Sequence, residues 1–88
     1  MSNSHATKCR RLSERAFELT KHLVPRGPAE NIRAFIYDHN EWGLGIETLV
    51  DTLLEDDIAV SADQKDAISL ALSEMGIDRH QSLLRVEG

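Results

Sequence analysis

Histidine, cysteine and carboxylate side chains are the groups through which this chain could hold a metal or carry out nucleophilic and acid–base chemistry. The histidines are His5, His22, His39 and His80, and the one cysteine is Cys9. Tetrahedral zinc sites take paired ligands at short spacing, and no two of these histidines are close in sequence. We therefore expect no metal site. His39 falls on an apolar helical face and is better explained as a partly buried side chain near a helix C-terminus.

Cys9 is the best candidate nucleophile, because the basic residues around it could lower the pKa of its thiol. Those neighbours are Lys8, Arg10 and Arg11. Nucleophilic catalysis also needs a base and an orienting group, and the sequence singles out neither. We interpret Cys9 as a small apolar residue at a helix edge. Residues 55–57 (EDD) lack the central glycine and terminal glutamate of a calcium loop. Because the chain is small and no catalytic constellation is present, we expect neither an enzyme nor a bound cofactor.

The charge of the chain is divided unevenly along its length, with a net value of −5. Residues 1–27 hold six lysines and arginines against Glu14 and Glu18, whereas residues 28–88 hold four against thirteen carboxylates. An acidic body repels nucleic acid and anionic lipid and attracts basic surfaces at long range. This balance favours a basic protein partner over direct nucleic-acid binding. No window approaches the ~20 consecutive apolar residues of a membrane-spanning helix.

A series of carboxylates occupies the middle of the chain. Glu47, Asp51 and Glu55 recur every four residues and so follow one side of a helix, and Asp56 and Asp57 come at its end. Like charges at this spacing cost a helix roughly 0.3 kcal/mol per pair, and the helix dipole disfavours anions at its C-terminus. No lysine or arginine falls within residues 38–64 to relieve the repulsion. A basic partner would turn repulsion into complementarity, so we interpret the series as a binding surface.

Trp42 is the only tryptophan, and the two glycines that follow it predict a turn over residues 41–45. A large ring in a turn can close one end of a helical bundle as part of the core. Alternatively, it can anchor a partner, because tryptophan and tyrosine are enriched at the centres of interfaces. The sequence leaves both explanations open for Trp42, with Tyr37 nearby in the chain.

Helical periodicity of the apolar residues predicts the elements that must position these side chains. The first helix covers residues 4–24 and stops at Pro25, which lacks an N–H and disfavours helix in the residue before it. A second helix begins at Pro28 and ends near Asn40, a residue that tolerates the left-handed conformation. The third helix is entered at residues 43–45 and runs to about Asp56.

The last helix has the clearest boundaries. Ser61 and Gln64 have the spacing of a capping box, and Gly76 is a typical glycine C-cap. A short turn or helix through Leu83 and Leu84 follows. No segment alternates with a two-residue period, so the sequence predicts an all-α fold in one domain: a compact bundle of about four amphipathic helices. We expect disorder at the ends, residues 1–5 and 86–88. One cysteine and no secretory signal predict a cytoplasmic location.

Several segments of the chain resemble small MafI-type immunity proteins of bacterial polymorphic-toxin and contact-dependent growth-inhibition systems. The resemblance rests on residues 37–44 (YDHNEWGL), 55–58 (EDDI), 60–63 (VSAD) and 75–78 (MGID) and on the acidic helix between them. The family pattern has a "DHGE-aromatic-G-L" turn, an acidic helix and a final "MG". This chain departs mildly from it, with Asn40 in place of a common glycine and Trp42 in place of a common tyrosine.

This resemblance implies a cytoplasmic protein that binds the toxic C-terminal domain of a cognate secreted toxin one to one and neutralises it. Such toxins are often nucleases, whose surfaces are basic where they hold phosphates, and an acidic surface suits them. The residues expected to contact the toxin are Asp38, Glu41, Trp42, Glu47, Asp51, Glu55, Asp56 and Asp57. The alternative is a small regulatory or adaptor bundle that binds another protein, or DNA through the basic residues 8–15 of its first helix.

Overall fold

A computed structural model of the chain describes residues 4–87 and shows four α-helices connected by short turns. The helices are α1 (Ser4–Thr20), α2 (Arg26–Arg33), α3 (Trp42–Glu55) and α4 (Ala62–Glu74). A 3₁₀ turn (Lys21–Leu23) extends α1, a π turn (Ala34–Asp38) extends α2, and a second 3₁₀ turn (Gln81–Leu83) lies near the C-terminus. The predicted all-α bundle is therefore confirmed.

The helices enclose one core, to which every α-helix contributes. The most extensive packing joins α1 to α4 and α2 to α3, and α1 also packs on α3. The largest side chains that are fully removed from solvent are isoleucines and leucines. They are Ile32, Ile36, Ile46, Leu49, Leu53, Ile68 and Leu72. The apolar stripes predicted for the second, third and fourth helices thus meet in this core.

The connection between α1 and α2 is shorter than predicted. Val24 has an extended backbone, as expected before Pro25. However, α2 begins at Arg26, not at Pro28 as predicted. Pro28 fits within the first helical turn because the N–H groups of that turn have no intrahelical partner.

His39 is exposed, so the predicted partly buried position for it is wrong. The π turn explains the error: the N–H of His39 donates to the carbonyl of Ala34, five residues back, at 3.0 Å. This wider turn shifts the later residues away from the apolar face that a regular α-helix would give them. Asn40 follows with a φ of 54°, which confirms the left-handed conformation expected there.

Residues 42–45 are the first turn of α3 and not the predicted irregular turn. Trp42 is the first helical residue, and the N–H of Gly45 donates to the carbonyl of Glu41 at 2.9 Å. Gly45 is buried against the π turn, where a Cβ atom would come within 2.7 Å of Ile36 Cγ1. The glycine therefore permits close packing of α3 on α2, which local propensity could not reveal.

The C-terminal part of the chain largely matches the prediction. Ser61 and Gln64 form both hydrogen bonds of the capping box, and Gly76 has a φ of 69° after α4. Residues 79–87, here called the C-terminal segment, return to the bundle through a parallel backbone bridge between Val60 and Val86. Of the ends expected to be disordered, residues 1–3 and 88 lie outside the described residues. Residues 4 and 5 are helical, and residues 86 and 87 adjoin Val60.

Candidate functional site

The acidic ridge, defined as Glu47, Asp51 and Glu55 with Asp56 and Asp57, follows the outer side of α3 and its C-terminal end. The buried face of this helix carries Ile46, Leu49, Val50 and Leu53, so the carboxylates point away from the core. A rise of 1.5 Å per residue places successive ridge carboxylates about 6 Å apart along the axis. The sequence prediction that these residues share one helix side agrees with the helix bounds.

The repulsion along this ridge is partly relieved within the chain, contrary to the expectation from sequence. Arg79 of the C-terminal segment binds both carboxylate oxygens of Asp51. Its Nε donates to Oδ1 at 3.0 Å, and its Nη2 donates to Oδ2 at 2.8 Å. These hydrogen bonds raise the pKa of Arg79 above its ordinary value. Sequence reasoning missed this pair because the partners are 28 residues apart and no local pattern connects them.

Two other predicted contact residues also have arginine partners in the same chain. Asp57 lies 3.5 Å from Arg85 Nε, and its backbone carbonyl accepts from Arg85 Nη2 at 3.0 Å. Asp38 lies 3.2 Å from Arg33 Nη2. All these carboxylates remain at least a third exposed, so water screens the pairs and each stabilises the fold by about 0–1 kcal/mol.

The remaining predicted carboxylates have no ion-pair partner among residues 4–87. They are Glu41, Glu47, Glu55 and Asp56. The same holds for Asp63, Asp66 and Asp78, so the carboxylates of the described chain that make no ion pair lie within residues 41–78. The free part of the acidic ridge is therefore Glu47, Glu55 and Asp56.

Trp42 is half-buried and packs against the hydrophobic core. Its indole Nε1 is shielded from solvent and has no hydrogen-bond acceptor in the described residues. The ring also borders a small cleft of about 270 Å³ together with Arg10 and Asn40. Trp42 therefore contributes to the core and also lines a surface cleft, and its role as a partner anchor stays a prediction.

Most of the basic side chains of α1 and of the 3₁₀ turn after it form ion pairs with carboxylates of the same chain. Lys8 lies 3.3 Å from Glu74, and Lys21 lies 2.7 Å from Glu18. Arg11 and Arg15 make no ion pair within residues 4–87 and are exposed one helical turn apart. Two free arginines are a small electrostatic footprint for duplex DNA, whose binding proteins commonly make several phosphate contacts.

Cys9 is 4% exposed, which agrees with its interpretation as a small apolar residue. Burial is the main cause of a raised thiol pKa, and the nearby Glu74 carboxylate adds to it. Both effects outweigh Lys8, so the thiolate form is disfavoured and the basic neighbours do not activate the residue. His5 Nε2 lies 3.6 Å from the Cys9 sulfur, because residues four apart meet on one side of a helix. The spacings between histidines alone do not reveal this contact.

Tyr37 stands apart from the acidic ridge, on the π turn beside the end of α1. Its hydroxyl donates to Glu18 Oε2 at 2.9 Å, and its ring meets the ring of Phe17 edge-on with centroids 6.2 Å apart. Burial, followed by the hydrogen bond to Glu18, raises the pKa of Tyr37 from 10.0 to about 12. Hydrogen bonds from Lys21 and Tyr37 lower the pKa of Glu18.

We expect stability to fall between pH 10 and pH 12 as a result. Below this window both states keep the phenolic proton, and within it only the unfolded state loses that proton. Tyr37 is 40% exposed, so its contribution is about 1 kcal/mol once solvent screening is included. Because the chain has one tyrosine, absorbance of tyrosinate reports this group alone. An apparent pKa close to 10.0, or an unchanged pH profile in Tyr37→Phe, would contradict the expectation.

Within residues 4–87, no group of three or more histidine, cysteine, aspartate or glutamate side chains could hold a metal ion. No helix in the same range is both long enough and apolar enough to cross a membrane. A scan against protein-family models, a search of curated proteins and a search of solved structures each found no match to the chain.

Proposed function

We propose that this chain is an immunity protein that binds the toxic C-terminal domain of a cognate secreted toxin and thereby neutralises it. The partner is a basic domain, in keeping with a nuclease, and the complex is one to one. The contact surface is the free part of the acidic ridge, joined at the other end of α3 by Glu41. The motif resemblance of residues 37–78 supports the class of partner, and the charge of this surface supports its chemistry.

The uncompensated carboxylates are the observation that carries this proposal. Glu47, Glu55 and Asp56 make no ion pair among the described residues, although the same chain provides arginines for Asp51 and Asp57. Glu55 and Asp56 are adjacent carboxylates at the C-terminal end of α3, where the helix dipole disfavours negative charge. A lysine-rich or arginine-rich surface removes that cost and speeds encounter through long-range attraction.

The internal pairs change how the surface is expected to work. Asp51 presents a carboxylate already bound by Arg79, so a partner meets Glu47 and Glu55 with an arginine between them. Arg79 can remain bound to Asp51 when the partner binds, because both Asp51 oxygens accept hydrogen bonds from it. We therefore assign partner attraction to Glu47, Glu55 and Asp56, and we assign to Asp51 the role of holding the C-terminal segment.

The test uses the C-terminal domain of a toxin encoded immediately upstream of this chain, with affinity measured by calorimetry and protection measured by growth. Replacing Glu47 and Glu55 together by lysine should weaken binding about 10-fold to 30-fold, because each reversal places like charges at the interface. Each single reversal should give part of that loss. The salt dependence of the association rate should also decrease, because attraction between free charges is screened by ions.

Asp66→Lys is the matched control, since it changes the net charge as much as either single reversal and lies on α4 with no ion-pair partner. It should leave affinity within about twofold of the original chain. Asp51→Lys is a poor test because it also releases Arg79. Full protection by the double variant, with an unchanged helical circular-dichroism signal, would refute the assignment of this surface.

A further inference from the structure

A groove lies away from the acidic ridge, between the end of α1 and the start of α2 with its π turn. Its volume is about 640 Å³, within the range of roughly 300–1,000 Å³ that is usual for small-molecule sites. No residue of the acidic ridge lines it. The groove is thus independent of the surface assigned to the toxin.

The floor of the groove is apolar and partly aromatic. Phe17 and Val24 line it and are 4% and 8% exposed, and Ala29 lies beside them. Tyr37 forms one wall, with 40% of its surface open to solvent and its hydroxyl held by Glu18. An exposed ring fixed at both its edge and its hydroxyl presents a rigid face, and such faces bind apolar groups at low conformational cost.

The rim of the groove has an excess of positive charge, although the chain as a whole carries −5. Lys21, Arg26 and Arg33 line the groove against two carboxylates, Glu18 and Glu30. Glu18 pairs with Lys21 at 2.7 Å, and Glu30 pairs at 2.9 Å with Arg33, which Asp38 outside the groove also binds. Arg26, the first residue of α2, is exposed and makes no ion pair within residues 4–87. A free guanidinium beside an apolar floor selects a ligand with one anionic group.

We propose that this groove binds a small amphipathic organic anion. Its apolar or aromatic body lies over Phe17 and against Tyr37, and its carboxylate or sulfonate is bound by Arg26. The volume limits the body to a drug-sized molecule, and the single unpaired cation limits the charge to one acidic group.

A pair of fluorescent probes tests the charge and the body of the ligand separately. 8-Anilino-1-naphthalenesulfonate has an aromatic body and one sulfonate, and N-phenyl-1-naphthylamine is its neutral counterpart. The sulfonate should bind in a saturable way, with amide chemical-shift changes centred on Phe17, Ala29 and Tyr37. Arg26→Gln should weaken the sulfonate about threefold to fivefold and leave the neutral probe unchanged.

Arg15→Gln is the matched control, because Arg15 is also an exposed arginine without an ion-pair partner but does not line the groove. It should change neither affinity. Ala29→Phe, which fills the floor, should abolish binding of both probes while thermal unfolding stays cooperative. Shift changes centred on the Trp42 cleft or on the exposed Leu70 and Leu83, or equal binding of both probes with no effect of Arg26→Gln, would overturn the proposal. The result for Arg26→Gln decides the case on its own should Ala29→Phe fail to fold.

Discussion

Replacing Gly45 by alanine should lower the free energy of unfolding by about 2 kcal/mol, even though alanine is the better helix former. The added Cβ would lie 2.7 Å from Ile36 Cγ1 and 3.3 Å from Phe35 Cβ, and Ile36 is fully buried. Forcing a methyl group into a packed core costs roughly 1–3 kcal/mol, and the clash here is at the upper end. Helix propensity returns only about 1 kcal/mol of that cost.

Gly27→Ala is the matched control for this prediction. Gly27 also lies in a helix, α2, and a Cβ atom built there meets no atom within 4 Å apart from its two chain neighbours. The substitution should change the free energy of unfolding by less than about 1 kcal/mol, because the gain in helix propensity is opposed by the restriction that Pro28 places on the residue before it. Urea unfolding of both variants measures the two effects, and the prediction is wrong if Gly45→Ala destabilises the protein no more than Gly27→Ala does.

The features that the sequence predicted well are those decided by neighbouring residues. The capping box of Ser61 and Gln64 and the C-cap at Gly76 depend on hydrogen bonds or backbone angles within a few positions. Pro25 likewise sets an extended backbone in Val24 by a local clash. Helical periodicity gave the buried faces for the same reason, because residues three and four apart meet on one side of a helix.

The errors arose where packing between helices overrides local preference. Two glycines near Trp42 favoured a turn, yet α3 begins at Trp42 because Gly45 allows it to approach Ile36 closely. The π turn before it was not predictable, since nothing in residues 34–38 marks the extra residue in the turn. His39 was misplaced as a direct consequence.

The candidate site likewise has a part that neighbouring residues predict and a part that depends on long-range packing. That the acidic ridge follows one side of a helix was predictable from a four-residue period. Its pairing was not, because Arg79 and Asp51 are brought together by the return of the C-terminal segment past the end of α4. The groove beside Tyr37 was also missed, since it forms between residues of α1 and α2 whose sequence spacing carries no motif.

Leu84→Ala should destabilise the protein by about 3 kcal/mol and detach the C-terminal segment before the rest unfolds. Leu84 is 3% exposed and is the last side chain of the core cluster. Truncation of a buried leucine costs roughly 2–5 kcal/mol, toward the low end where the site can collapse. Lys65 Nζ donates to the carbonyls of Ser82 and Leu84 at 3.1 and 3.0 Å, and these bonds alone cannot replace the lost burial.

Leu83→Ala separates the burial of Leu84 from other effects of shortening a leucine in this segment. Leu83 is 67% exposed, so its truncation should change stability by less than about 0.5 kcal/mol. Hydrogen exchange gives a second measurement, because the N–H groups of Val60 and Glu87 hold the backbone bridge. Both should exchange faster in Leu84→Ala and unchanged in Leu83→Ala. Equal effects of the two variants would mean that burial of Leu84 does not hold the segment whose Arg79 binds the ridge.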